Sequence, residues 1–107
     1  MIKLKILNLL IINDISTLSN NLKADVIVRN PFGLHARPAA MIAKLAMKAN
    51  AGIWLTMDNE TVDASSIIDI LSLACTDGAH LTIEAENACD REILTEIRAL
   101  FEKGFDE

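Results

Sequence analysis

Asn30-Pro31-Phe32-Gly33-Leu34-His35-Ala36-Arg37-Pro38-Ala39-Ala40 is the stretch on which the reading of this chain turns. It holds one of the two histidines, both prolines and one of the four glycines. Asn30 to Gly33 reads as a turn. From about Ala36 to Lys48 the chain reads as an amphipathic helix, with Ile42, Leu45, Ala46 and Ala49 at helical spacing and Asn50 and Gly52 as its stop. His35 therefore falls in the turn before a helix or in its first turn. Backbone N–H groups there lack intrahelical partners, and the helix dipole favours negative charge beside them. With Arg37 two residues on, the place suits a phosphate. Pro38 is tolerated because a first turn does not use the missing N–H, and it biases Arg37 away from helical angles, which helps fix where the helix starts.

Outward from that stretch the periodicity alternates between strand and helix. Asp25 to Arg29 alternates, with Val26 and Val28 on one face, and gives a first strand. Ile53 to Met57 is a second strand with Ile53, Leu55 and Met57 on one face. Asp58-Asn59-Glu60 turns the chain into a short third strand, Thr61 to Ala64. Ser65 or Ser66 caps a short second helix running to Leu73, with Ile70, Leu73 and Ala74 on its core side. Asp77-Gly78 is a turn before the fourth strand, His80 to Ala85. Asp90 opens a last helix with the apolar stripe Ile93, Leu94, Ile97, Leu100 and Phe101. Asp90 and Glu92 near its start and Lys103 near its end suit the dipole, and Gly104 stops it. The order β-α-β-β-α-β-α implies an α+β fold with an antiparallel sheet and helices on one face, an order shared largely with ferredoxin-like folds.

The length, 107 residues, is that of one small domain, and the net charge of −5 is unevenly spread. Residues 1–24 carry three lysines and one aspartate, whereas residues 25–107 carry seven basic and fourteen acidic groups. Such a balance argues against nucleic-acid backbone binding and suits a domain with a local basic site. Cys75 and Cys89 lack metal-ligand spacing and are expected to be reduced thiols. His80 is out of phase with Leu81 and Ile83 and reads as a solvated surface histidine, so no metal site is expected.

Residues 1–23 form an N-terminal extension. Ile2, Leu4 and Ile6 alternate with Lys3 and Lys5, as in a strand, while Leu7 to Ile12 is nearly all apolar. Asp14 offers a cap for a short helix carrying Ile15, Leu18 and Leu22, weakened by Ser19-Asn20-Asn21. The apolar run is too short to span a bilayer, is broken by Asn8, and lacks a small-residue cleavage site, so neither membrane insertion nor secretion is expected. Ile27 and Trp54 point by alternation to the sheet face opposite the helices. Two apolar groups there and unused apolar residues in the extension suggest that residues 2–12 cover this face or pair with a sheet edge. The rival is an extension that comes from a misassigned start and is disordered, or that drives self-association, leaving the choice between a monomer and an extension-mediated oligomer.

Gly33-Leu34-His35-Ala36-Arg37-Pro38-Ala39-Ala40, followed by a helix and later by Asp63-Ala64-Ser65-Ser66-Ile67-Ile68-Asp69-Ile70-Leu71-Ser72-Leu73-Ala74, resembles the histidine-containing phosphocarrier (HPr) family of the bacterial phosphoenolpyruvate-dependent phosphotransferase system. The resemblance runs from about Ala24 to about Lys103 and implies a domain over residues 24–107. It implies the HPr version of the fold, an open-faced β-sandwich with strand order 1-4-2-3 and three helices on one face. It also implies a cytoplasmic phosphoprotein that is a phosphorylated intermediate rather than a turnover enzyme, needing no cofactor.

His35 would then take a phosphoryl group from Enzyme I, derived from phosphoenolpyruvate, and pass it to IIA-type proteins in sugar uptake or regulation. Neutral imidazole suits this, since its ordinary pKa of about 6.5 leaves much of it uncharged near neutrality. The family uses Nδ1, which the sequence does not reveal. Arg37 would pair with the phosphoryl oxygens as a fork of donors, and Pro38 completes the site. Ser66 aligns with the serine that an HPr kinase/phosphorylase modifies in many Gram-positive relatives, although Asp69 replaces a frequent glycine there and would repel an added phosphate. The plain alternative for Ser66 is a helix cap. Ile67, Ile68, Ile70, Leu71 and Leu73 are too many apolar residues for one face of a short helix, so Ile67, Ile68 and Leu71, with Met41 and Lys44, would form the docking surface for Enzyme I and IIA domains. Two other functions stay open at this point: a purely regulatory HPr-like module in a nitrogen-related branch, some relatives of which lack the histidine kept here, and a ferredoxin-like small-ligand-binding domain.

Overall fold

In the computed structural model, residues 22–107 are described. The expectations placed on residues 1–21, the strand and short helix of the extension and its role as a cover, lie outside them. The elements are β1 (Lys23–Ile27), α1 (Ala36–Ala46), β2 (Ile53–Met57), β3 (Glu60–Asp63), α2 (Ile67–Ser72), β4 (His80–Ala85) and α3 (Arg91–Glu102), with 3₁₀ turns at Ala88–Asp90 and Gly104–Asp106. The strands form one antiparallel sheet in the order β1-β4-β2-β3, as expected.

Alternation in the strands decides which side is covered. Val26, Ile53, Leu55, Leu81, Ile83 and Ala85 are buried beneath the helices. They meet Ile42 of α1, Ile70 of α2, and Leu94, Ile97 and Phe101 of α3 in one core. Each of the larger side chains contributes roughly 1.5–3 kcal/mol by leaving water. The opposite face carries Asp25, Thr56, Thr61 and Thr82 in one row across the four strands. Thr82 Oγ1 donates to Asp25 Oδ1 at 3.0 Å, and the Thr56 and Thr61 hydroxyls lie 2.8 Å apart. Polar pairing of this kind lets an antiparallel sheet leave one face to solvent.

Several local expectations are corrected. The first helix ends at Ala46, with Met47 as its cap, rather than at Lys48. Pro38 is its third residue, so Arg37 is helical in spite of the proline after it. The third strand begins at Glu60 because Asp58, at φ 56°, makes the turn tighter than three residues. Ala74 is exposed at φ 52°, and its core place is taken by buried Cys75, because the left-handed residue reverses the chain at the end of α2. Asp90 precedes α3 but makes no side-chain cap to it. Its buried carboxylate accepts instead from the N–H groups of Asn50 and Ala51, both at 2.8 Å, and so ties the loop after α1 to the start of α3. Trp54 and Ile27 are only half-buried. Trp54 folds over Gly52, where a Cβ would stand 2.8 Å from the indole Nε1, so its apolar surface is met in part within the domain. Cys75 and Cys89 are free thiols, the first buried and raised to about 11 chiefly by that burial.

Candidate functional site

The turn before α1 is built around Asn30, a fully buried polar residue. Its Oδ1 accepts from the Phe32 N–H at 3.0 Å and its carbonyl accepts from Gly33 N–H at 2.8 Å, which closes the turn locally. Its own N–H donates to Asp77 Oδ1 at 3.1 Å, binding the turn to the Asp77-Gly78 corner. Gly33 has φ +67°, and a Cβ there would lie 2.3 Å from the Cys75 carbonyl oxygen. Both facts require glycine. The next N–H, of Leu34, donates to that same carbonyl at 3.0 Å. Leu34 is buried as the anchor, and His35 follows it at the surface.

His35 is the N-cap of α1 and has extended backbone angles. The helical ladder starts where the Ala39 N–H meets the His35 carbonyl at 3.1 Å, so the N–H groups of Ala36 and Arg37 lie ahead of it. No acidic residue occupies the first turn of α1. Phe32, 78% exposed, stands edge-on to the His35 ring at 5.9 Å between centroids.

The chain end closes the site. Gly104, at φ +62°, stops α3 where a Cβ would lie 2.7 Å from the Arg29 carbonyl oxygen. Phe105 and Asp106 also take left-handed angles, φ 58° and 60°. Phe105 is fully buried and meets Phe101 edge-to-face at 4.9 Å, which holds the reversal in place. Glu107 is thereby delivered to His35. Its Oε1 lies 2.9 Å from His35 Nε2, its Oε2 lies 2.7 Å from an Arg37 guanidinium nitrogen, and the Asn30 side-chain amide donates to Oε1 as well. Arg37 also donates to the Phe105 carbonyl at 3.4 Å. These donors, His35 first, hold the Glu107 carboxyl at about 2, below its ordinary 4.5.

The structure thus brings His35 and Arg37 together, while Pro38 is buried behind them as a packing residue. Ser66 is the N-cap of α2, accepting from the Asp69 N–H at 3.2 Å. Ile67, Ile68 and Leu71 are 40%, 78% and 39% exposed. Lys44 is exposed and Met41 half-buried on α1, and α1 packs against α2. Sequence reasoning missed four contributors: Asn30, Glu107, Phe32 and the 72% exposed Met47. An exposed aromatic inside the turn was the one available signal, for Phe32. Glu107 gave none, because it lies 72 positions from His35.

Comparison with known proteins agrees with this architecture. The family model described as "PTS HPr component phosphorylation site" matches residues 22–103. The chain is 38% identical over 82 residues to phosphocarrier protein HPr of Mycoplasma pneumoniae, covering 76% of this chain and 93% of that protein. It is 38% identical over 86 residues to phosphocarrier protein NPr of Klebsiella oxytoca, covering 79% and 96%. Among solved structures it resembles an HPr from Thermoanaerobacter tengcongensis with a TM-score of 0.75 and 35% identity, over 79% of this chain and 96% of that one. A Bacillus anthracis HPr gives 0.68 and 37%, over 74% and 94%. With the fold, the His35 turn and these relatives in agreement, the chain belongs to the HPr/NPr family of phosphocarrier proteins of the phosphotransferase system.

Proposed function

We propose that His35 is the phosphorylated residue and that Nδ1 is its reacting atom. The observation that carries this reading is the contact between Glu107 and His35 Nε2. An ionised carboxylate can only accept, so a neutral His35 must place its proton on Nε2. Nδ1 is then left with its lone pair. In the transfer, that lone pair forms the N–P bond while the bond between phosphorus and the donor breaks. No proton has to leave Nδ1, and the proton stays on Nε2, donated in a hydrogen bond to the Glu107 carboxylate.

Arg37 and the leading N–H groups of α1 supply the charge stabilisation. Phosphoryl transfer needs positioning and counter-charge more than covalent help, and these groups provide both. The incoming phosphoryl oxygens compete with Glu107 for the Arg37 guanidinium, so phosphorylation loosens the Arg37–Glu107 pair. Pro38 keeps the first turn of α1 packed while the site reacts.

The donor is an Enzyme I-type protein charged from phosphoenolpyruvate, and the acceptor a IIA-type protein, in the cytoplasm. Their common docking surface is the apolar group formed by Phe32, Met41, Met47, Ile67, Ile68 and Leu71, with Lys44 as its basic member. The likeness to NPr as well as HPr relatives supports a second downstream reading, a regulatory branch in place of sugar uptake. Ser66 is a second modification point in the same reading: an HPr kinase/phosphorylase-type enzyme would add charge beside Asp69 and next to Ile67.

The test is transfer from labelled phosphoenolpyruvate in the presence of a bacterial Enzyme I, comparing wild type with His35→Ala. Acid-labile, base-stable label on the wild type alone is the expected result. Equal labelling of both proteins, or none on a folded wild type, overturns it.

A further inference from the structure

We propose that Asp77 is a positioning residue for phosphoryl transfer at His35, acting through Asn30. The proposal rests on the reading of His35 as the phosphorylated residue. The segment from Val28 to Leu34 lies along the segment from Cys75 to Ala79, and its two ends are tied there by backbone. At one end the Val28 N–H donates to the Ala79 carbonyl at 2.9 Å, and the Gly78 N–H to the Val28 carbonyl at 2.8 Å. At the other end the Leu34 N–H donates to the Cys75 carbonyl at 3.0 Å. Backbone bonds of this kind do not depend on residue type.

The middle of the turn is held differently. Pro31 has no N–H to give. Those of Phe32 and Gly33 are spent on Asn30, at its Oδ1 and its carbonyl. The Asn30 N–H is the donor that reaches out of the turn, and Asp77 Oδ1 takes it at 3.1 Å across 47 positions. This tie is made by a side chain, so a substitution removes it while the backbone ties at both ends remain. Asp77 is exposed, so its truncation leaves no cavity in the core.

The surroundings of His35 hang on that tie. Asn30 is fully buried. Its Oδ1 holds the Phe32 N–H, and the Phe32 ring stands edge-on to His35. Its side-chain amide donates to Glu107 Oε1, the oxygen that also meets His35 Nε2. A buried N–H without an acceptor is costly, so without Asp77 the Asn30 backbone shifts toward water. Both neighbours of the imidazole shift with it. A transfer that relies on positioning is slowed by small displacements of this kind.

Asp77→Ala, Asp77→Asn and Asp90→Ala in the full chain test this. Asparagine keeps a side-chain oxygen acceptor and loses only the charge. In Asp77→Ala, transfer from labelled phosphoenolpyruvate through a bacterial Enzyme I is expected to slow about five- to tenfold, chiefly in kcat. Nitrogen-15 shifts should show the His35 proton shared between the ring nitrogens instead of held on Nε2, and the Glu107 carboxyl should titrate at a higher pH than in the wild type. Asp77→Asn should stay within about twofold of the wild-type rate and match it in both NMR readouts. Asp90→Ala loses the acceptor of the Asn50 and Ala51 N–H groups, away from this turn, and should move neither readout. Wild-type ring shifts and a wild-type Glu107 midpoint in Asp77→Ala overturn the proposal. So does an Asp77→Asn variant as slow as Asp77→Ala, because the acceptor would then not be what matters. Rapid exchange of the Asn30 N–H in the wild type overturns it without any variant. Equal labelling of His35→Ala and wild type ends the phosphocarrier reading alone, and the two NMR readouts then still decide whether Asp77 positions His35.

Discussion

Glu107 and His35 share a hydrogen bond of 2.9 Å between Oε1 and Nε2, and the same carboxylate holds Arg37 at 2.7 Å through its other oxygen. One side chain at the end of the chain therefore orients both groups proposed to handle phosphate. Nitrogen-15 shifts of the His35 ring should show the proton on Nε2 in the wild type and a mixture of tautomers in Glu107→Ala. Loss of the charged acceptor frees the ring to carry its proton on Nδ1, so phosphoryl acceptance by the variant should fall by up to about tenfold. An unchanged tautomer ratio would remove Glu107 from the site.

The same carboxylate gives an acid-sensitive contact. Its pKa in the folded protein, about 2, is below the ordinary 4.5, so folding favours its charged form. Its contribution is complete above about 4.5 and is lost as the pH falls toward about 2. Titration of the Glu107 side-chain carboxyl by carbon-13 NMR should show a midpoint near the lower value. Arg37→Ala should raise that midpoint, since a positive donor at 2.7 Å is removed.

Gly33→Ala should injure both stability and function. The new Cβ meets the Cys75 carbonyl oxygen at 2.3 Å, and alanine is strained at φ +67°. A cost of about 1–3 kcal/mol in urea unfolding is expected from the backbone angle, with slower phosphorylation because the turn that delivers His35 must shift.

Asp90→Ala offers the converse case. It removes the acceptor of the Asn50 and Ala51 N–H groups, each at 2.8 Å, far from the His35 turn in sequence. Asn50 is exposed and Ala51 half-buried, so water takes up part of the loss; a total cost of about 1–3 kcal/mol is expected, and the unfolding midpoint should drop while the phosphorylation rate of the remaining folded protein stays the same. A selective loss of transfer would show that the loop after α1 contributes to the site.

Ile68→Asp tests the docking surface. Ile68 is 78% exposed, so the fold should tolerate the change to within about 0.5 kcal/mol. An aspartate at a buried interface position should raise the KM for the phosphoryl donor about tenfold or more, with the acid-labile label still confined to His35. Unchanged kinetics with both donor and acceptor would place the interface elsewhere.

Much of this architecture is legible without a structure because it rests on local rules. The alternation in Ile53 to Met57 and His80 to Ala85 sets which face of the sheet is buried, and the period of 3.6 in Ile93, Leu94, Ile97 and Phe101 sets how α3 lies on it. The turn at Asn30 to Gly33 and the helix after it place His35 at an N-terminus rich in unpaired donors, since those are properties of a few consecutive residues. Excess apolar residues on α2 announce their own exposure, because a six-residue helix has one core face. Tertiary structure alone decided the remainder. Phe105 adopts a left-handed angle that its residue type disfavours, and its packing on Phe101, with the Arg37 bond to its carbonyl, sustains it. That reversal carries Glu107 to His35 across 72 positions, and the buried amide of Asn30 helps fix it there. Asp90 similarly spends its carboxylate on a distant loop in place of its own helix. Local sequence specifies where a side chain begins, and long-range packing specifies what stands opposite it, which is why Glu107, the partner of His35 Nε2, was invisible until the fold was complete.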